Sequence, residues 1–141
     1  MGTHSRPKGR QVRGTAVPRG RERTGYRVVG RVWIEKDGEA YLGWGRVVLL
    51  ERIREYGSIL AASKSMEMGY RHAWKLVEDM NRLAPRPLVH REVGGASGGG
   101  TQLTAEGERA VADFWKTVEG FGRWLDGAQA TRSPGRRRGA R

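Results

Sequence analysis

Apolar residues flank a turn signal in the first third of the chain. Residues 28–42 contain Val, Trp and Ile before Asp37-Gly38, and Ala, Tyr and Leu after it. Asp-Gly is a favoured two-residue hairpin turn, because both of its residues readily take positive φ. The pattern predicts a short β-hairpin over residues 28–42.

After this hairpin the apolar residues recur at helical spacing. A first helix is predicted between residues 45 and 56, and Gly57 stops it. Ser58 has the position and the hydroxyl of an N-cap for a short second helix over residues 59–66, which is rich in small residues. A longer third helix is predicted from residue 70 to residue 83. The apolar positions of the first helix are Leu49, Leu50, Ile53 and Tyr56, and those of the third are Tyr70, Ala73, Leu76, Val77, Met80 and Leu83.

The second and third helices are joined by a tight turn that contains glycine, which is typical of a helix-turn-helix. Pro85 and Pro87 end the third helix. A strand-like segment at 88–93, a glycine-rich loop at 94–100 and a returning segment at 101–103 then predict a second hairpin. A hairpin in this position is the wing of a winged helix. The predicted fold class is therefore mainly α with small β-hairpins, a winged helix-turn-helix.

Thr104 is the expected cap of a last helix that runs from Ala105 towards Leu125. Its apolar residues form an a/d seam, which Trp115 and Trp124 widen. A face this large and aromatic is not left in water on so small a protein, so we expect it to form a homodimer. The residues assigned to the dimer interface are Val111, Phe114, Trp115, Val118 and Phe121.

Charge divides the 141 residues into three parts. The net charge is +12, and most of it lies at the ends: residues 1–25 carry seven Lys or Arg and one acidic residue, and residues 127–141 carry five and none. Both ends contain few apolar residues, so we expect disordered basic arms on either side of one nearly neutral domain at residues 26–126. Such arms favour polyanions, nucleic acid first and an anionic membrane surface second.

Several kinds of chemistry are disfavoured by the composition. There is no cysteine, which removes disulfides and thiolate sites, and no apolar run approaches a membrane span. The three histidines are scattered and give no metal spacing. The glycine-rich loop lacks the Lys and Ser or Thr of a phosphate-binding loop, and no catalytic constellation is evident. We therefore expect a cytoplasmic protein that is not an enzyme and has no metal, no cofactor and no membrane partner.

The start of the third helix carries the most informative charges. Arg71 and Lys75 lie four residues apart and project from one side of the helix. A helix fits the major groove of double-stranded DNA, where Arg donates two hydrogen bonds to guanine. The alternative is a solvated face whose acidic residues pair with them locally. His72 is either a DNA contact or a surface residue, and Trp74 is better explained as part of the core.

Five segments of the sequence carry a family resemblance. They are Gly57-Ser58-Ile59, Tyr70 with Ala73-Trp74, Met80-Asn81, the glycine-rich wing, and Leu103-Thr104-Ala105-Glu106-Gly107. In this order, over roughly residues 28–124, they resemble the amino-terminal DNA-binding domain of ModE, the molybdate-responsive regulator. That domain is itself similar to the helix-turn-helix of LysR-type regulators. The combined order of the motifs is specific, whereas any one of them is not.

The resemblance implies a dimer on a two-fold-symmetric operator, with residues 70–75 at the start of the recognition helix. Gly69 stands where the family often has Ser, and uncharged Ala96 or Ser97 stands where the wing commonly has Lys. ModE regulators usually continue into oxyanion-binding domains, whereas 15 residues follow Asp126 here. We therefore expect no molybdate sensing by this chain itself, and either constitutive binding or control by a separate sensor protein. The candidate DNA contacts are Ser58, Gly69, Tyr70, Arg71, His72, Lys75, Arg91 and Ser97.

Three hypotheses of function follow. The first is a sequence-specific, dimeric transcription regulator that binds double-stranded DNA. The alternative is a nucleoid-type or architectural protein that binds DNA through its arms with little sequence preference. The third is an interaction module whose aromatic last helix recruits another subunit. The ratio of specific to non-specific affinity separates the first two, and a size measurement with and without DNA tests the third.

Overall fold

The computed structural model describes residues 26–92 and 100–132, and for residues 130–132 the backbone alone. Within these ranges, four helices and two antiparallel two-stranded hairpins follow one another. The arrangement confirms the mainly α, winged helix-turn-helix fold. The elements are β1 (Ile34–Lys36), β2 (Glu39–Leu42), α1 (Trp44–Tyr56), α2 (Ile59–Ser65), α3 (Tyr70–Leu83), β3 (Val89–Arg91), β4 (Thr101–Leu103) and α4 (Ala105–Arg132).

The first hairpin turns at the predicted dipeptide. Asp37 has φ 50° and Gly38 has φ 82°, the left-handed pair that a two-residue hairpin turn requires. Ile34 pairs with Leu42 across the two strands, with a bulge after Ile34. Leu42 is buried, so the hairpin contributes one face to the core.

Residues 28–33 do not form the strand that the sequence pattern predicted. The Gln129 side chain of α4 both accepts from the Val28 N–H and donates to the Val28 carbonyl. Gly30 lies so close to Phe121 that an added Cβ would sit 2.5 Å from the end of that ring. The regular hairpin therefore starts only at residue 34, and in the segment before it the backbone of Val28 bonds to α4.

Helix α1 is central to the core. Gly57 ends it in the left-handed conformation, at φ 68°, and donates its N–H to the Ile53 carbonyl. Tyr56 is 47% exposed, so its assignment to the apolar face was wrong: the helix ends there, at the margin of the core. The buried residues of α1 are Val47, Val48, Leu49, Leu50 and Ile53.

Helices α2 and α3 form the predicted helix-turn-helix. Ala62 of α2 and Ala73 of α3 are both fully buried, and small side chains of this kind let two helices approach closely. Val77 and Met80 continue the buried face of α3. Tyr70 was expected on that face, yet it is 42% exposed at the first turn of α3, where the helix projects beyond the core.

The wing is anchored to the rest of the fold at both of its strands. Strands β3 and β4 pair antiparallel, with Val89 opposite Leu103. The Asn81 carboxamide of α3 bonds to the backbone at the start of β3. Thr101 of β4 donates its N–H to the Gly57 carbonyl at 2.9 Å. The wing is thereby held against the junction of α1 and α2 and against α3.

Helix α4 begins at its predicted cap and ends later than expected. The Thr104 hydroxyl accepts from the Gly107 N–H at 3.0 Å. The helix continues to Arg132, so the prediction of an unstructured tail from residue 127 was wrong for residues 127–132. Gln129, one of these residues, is tied to the segment before β1. Among the described residues, no helix is both long and apolar enough to cross a membrane.

The aromatic seam of α4 is largely covered by its own chain. Val111 and Phe114 are buried in the core, and Val118 packs against it. Trp115 is half-buried, edge-on to the indole at the start of α1 with ring centroids 4.7 Å apart. Phe121 is half-buried beneath the segment before β1. Most of the seam is therefore removed from water by α1 and residues 28–33 of the same chain, so its burial does not require the homodimer that was expected to cover it.

Candidate nucleic-acid interface

One face of α3 is buried and the opposite face, near the helix start, is basic and open to solvent. Arg71, His72 and Lys75 are all exposed. Arg71 makes no hydrogen bond or ion pair with the residues that the structure describes. The Lys75 ammonium lies 3.7 Å from Asp79, although the lysine side chain is 74% exposed. Asp79 thus pairs only weakly with Lys75, and no described residue pairs with the Arg71 guanidinium.

His72 borders a recess between α3 and the first hairpin. The recess has a volume of about 240 Å³, and its apolar wall includes Leu42, Met66, Met68 and Leu76. His72 is nevertheless exposed, so its imidazole lies at the rim and not inside the core. Its position on the first turn of α3 places it beside Arg71.

The N-caps of α2 and α3 differ in whether a side chain accepts from the N–H groups at the helix start. The Ser58 hydroxyl accepts from the Ala61 N–H at 3.0 Å, which uses this side chain in a helix cap. Gly69 caps α3 without a side chain, and a Cβ added there would meet nothing within 4 Å. The N–H groups of the first turn of α3 therefore face outwards without a side-chain acceptor, as helix starts that bind phosphate do.

Three side chains form a stack that joins α3 to the wing. Tyr70 lies edge-on to Trp74, with ring centroids 6.4 Å apart and the planes at 85°. The Arg91 guanidinium of β3 covers the Trp74 ring at 4.3 Å from its centroid. Trp74 is half-buried and packs against the core, so the expectation of a core role captured part of its environment. The contact of Trp74 with Arg91 could not be predicted, since no local sequence feature relates the two positions.

Ion pairs fix α3 relative to the first hairpin. Both terminal nitrogens of Arg82 lie 3.0 Å from the carboxylate oxygens of Glu39. The hydrogen bond from Arg82, together with its charge, lowers the pKa of Glu39 below its usual value. Arg46 donates to the Ala40 carbonyl at 2.6 Å and lies 4.0 Å from Asp79. These bonds hold the basic face of α3 in one orientation.

The remaining candidate residues lie elsewhere. Ser97 falls outside the described residues, as do most of the two basic ends. Arg91 is exposed on β3, beside α3. The residues assigned to dimerisation are on α4, a separate element. Over the described ranges 26–92 and 100–132, no three His, Cys, Asp or Glu residues are grouped so as to hold a metal ion.

Comparison with known proteins connects this architecture to one group. No protein-family model matches the chain. It is 45% identical over 91 residues to the "Molybdenum transport protein ModE" of Azotobacter vinelandii, covering 64% of this chain and 34% of that protein. It is 48% identical over 66 residues to the "Transcriptional regulator ModE" of Haemophilus influenzae, covering 47% of this chain and 26% of the relative.

A third relative is named for DNA binding. The "DNA-binding transcriptional dual regulator ModE" of Escherichia coli K12 is 39% identical over 66 residues, which cover 47% of this chain and 25% of that regulator. The chain thus spans about a third or less of the length of these relatives. Together the matches and the winged helix-turn-helix show that the chain resembles the amino-terminal DNA-binding domain of the ModE transcriptional regulators.

Proposed function

We propose that this chain is a sequence-specific DNA-binding transcription regulator, with α3 as the recognition helix in the major groove. The observation that carries the proposal is the exposed basic start of α3, where Arg71 and Lys75 project from a helix whose other face is buried. Arg71 is the principal base-reading residue, because it is exposed and free of partners among the described residues. The regulator names of the relatives support a non-enzymatic role.

Selection of bound duplexes from a random pool supplies the preferred site, and Arg71→Ala then tests the assignment. The variant is expected to lose about 1–3 kcal/mol on that site and to relax its sequence preference. Lys116→Ala is the matched control, because Lys116 is exposed on α4 and its loss removes one charge without touching α3. Equal affinities of Arg71→Ala and the unaltered protein for specific and random DNA would refute the recognition-helix assignment.

The relatives' molybdenum-related names describe those longer proteins. For this chain the proposal concerns DNA alone, read by residues on α3 and the wing. The candidate contacts Tyr70, His72 and Arg91 join Arg71 on this surface. Gly69 takes part through the start of α3, where backbone N–H groups without a side-chain acceptor donate to phosphate oxygens, whereas Ser58 contributes as the cap of α2.

We propose in addition that the chain forms a homodimer, and two exposed apolar side chains support a surface for it. Trp124 is 62% exposed and stacks on Phe121, with centroids 6.0 Å apart. Val29 is 55% exposed, and its neighbours along the chain bond to or pack on the same stretch of α4. The exposure of both an indole and a valine on this part of the fold supports an interface between two copies of the chain. The outer side of the α4 carboxyl-terminal half is therefore the proposed dimer surface.

Light scattering tests this surface. Trp124→Gln is expected to raise the dimer dissociation constant at least tenfold, since a buried interface Trp commonly contributes about 2 kcal/mol or more. Tyr56→Gln is the control, because Tyr56 is also an exposed aromatic residue but lies at the end of α1. Protein that stays monomeric at micromolar concentration, or equal dissociation constants for the two variants, would refute the proposal.

A nucleoid-type role is the second candidate, and one observation favours it. Residues 1–25 and 127–141 together carry twelve Lys or Arg and one acidic residue. Charges of this kind strengthen binding to all DNA alike and steepen its dependence on salt. A specific to non-specific affinity ratio near one would favour this role, whereas a ratio of about 10³ or more is expected for a regulator.

A further inference from the structure

The stack of Tyr70, Trp74 and Arg91 joins two elements that meet DNA separately in a winged helix. The guanidinium carbon of Arg91 lies 4.3 Å from the centre of the Trp74 ring, which is a cation–π distance. Trp74 itself is held by the core, and Tyr70 braces its edge. The indole is thus a fixed platform under a charged side chain that stays exposed.

Stacking limits the orientations of Arg91 without using its hydrogen-bond donors. The five N–H donors of a guanidinium lie in its plane, so a ring below one face leaves them available for an acceptor. The flank of a helix in the major groove, a groove about 12 Å wide, faces the sugar–phosphate backbone at the groove edge. Arg91 lies against the side of α3 that carries Trp74, so with α3 in the major groove it would face the sugar–phosphate backbone.

We propose that Trp74 is a positioning residue that holds Arg91 for a backbone phosphate of duplex DNA beside the recognition helix. The inference rests on the proposed DNA-binding function. Trp74 itself contacts no base: it acts through Arg91, by reducing the freedom that this side chain loses on binding. Arg91 in turn sets the register of α3 in the groove and carries no base preference of its own.

A double-mutant cycle with salt titration tests this assignment. Arg91→Ala is expected to weaken binding to the selected duplex roughly tenfold and to reduce the slope of log affinity against log salt by about one. Trp74→Leu is expected to weaken binding about threefold in the unaltered protein, and to have no effect when Arg91 is already Ala. Arg91→Lys should have the salt slope of the unaltered protein, because it keeps the positive charge. Its affinity should stay lower, because an ammonium does not stack as a planar guanidinium does.

Other outcomes would contradict separate parts of the proposal. If Trp74→Leu weakens binding equally in both backgrounds, Trp74 only supports the fold. If Arg91→Ala leaves the salt slope unchanged, Arg91 does not contact phosphate. If Trp74→Leu does not fold, Trp74→Phe, which keeps an apolar ring with a weaker cation–π contact, takes its place in the same cycle. Failure of the unaltered chain to bind any duplex would instead overturn the proposed function.

Discussion

Replacement of Gly107 by Ala tests how closely the start of α4 packs against the backbone just before β3. A Cβ at this position would lie 2.2 Å from the carbonyl oxygen of Leu88 and 3.4 Å from the Cβ of Leu103. The Leu88 oxygen also accepts from the Thr104 N–H at 2.9 Å, at the start of the same helix. Because the clashing atom belongs to the main chain, no side-chain rotation relieves the overlap. The first turn of α4 must therefore shift by about 1 Å away from the Leu88 backbone.

The expected magnitude follows from two opposing effects. Overpacking costs about 1–3 kcal/mol, and a rigid backbone contact belongs at the upper end of that range. Ala in place of Gly within a helix returns about 1 kcal/mol. The net loss of unfolding free energy is about 2 kcal/mol, which corresponds to a fall in melting temperature of about 10 °C for a domain of this size.

Gly120→Ala is the matched control on the same helix. There the nearest atom to an added Cβ is a terminal nitrogen of Arg123, at 3.7 Å, which is an ordinary contact. Only the helix-propensity gain remains, so this variant should be more stable than the unaltered protein by about 1 kcal/mol. Urea unfolding followed by circular dichroism measures both changes. A Gly107→Ala protein as stable as the unaltered one would show that the seating of α4 on Leu88 is not tight.

Two further predictions concern contacts that hold α3 in place. Asn81→Ala removes an acceptor for the Leu88 and Val89 N–H groups and a donor to the Val89 carbonyl. The free energy of unfolding, measured in urea, should fall by roughly 2–4 kcal/mol. An unchanged urea midpoint would refute this prediction. Glu39→Gln should lower the melting temperature near neutral pH. Because the hydrogen bond and charge of Arg82 hold the pKa of Glu39 below its usual value, the stabilising effect of this carboxylate is lost on acidification, and the melting temperatures of the two proteins should converge as the pH falls through that lowered pKa. A gap independent of pH would contradict it.

Local chemistry was predictable because it depends on residues close together in the chain. The Asp37-Gly38 turn needs only two residues that accept positive φ, and Gly57 ends α1 for the same reason. The hydroxyl oxygens of Ser58 and Thr104 cap helices by accepting from N–H groups that lie three residues further on. From these signals and the apolar spacing, the order of elements and the winged helix-turn-helix follow. The basic start of α3 is likewise visible in the sequence.

The surroundings of those elements were decided by the tertiary structure. The apolar spacing of α4 showed that Phe114 would be buried, yet it did not show that the partner is the chain's own core. The apolar pattern placed Val28 in a strand, whereas its backbone bonds to Gln129, far along the chain. The hydrophobicity of a side chain predicts that it will be buried on folding. It does not predict which distant part of the chain will cover it. The contact of Arg91 with Trp74 likewise depends on how the wing docks against α3, and that docking exists only once the whole domain has folded.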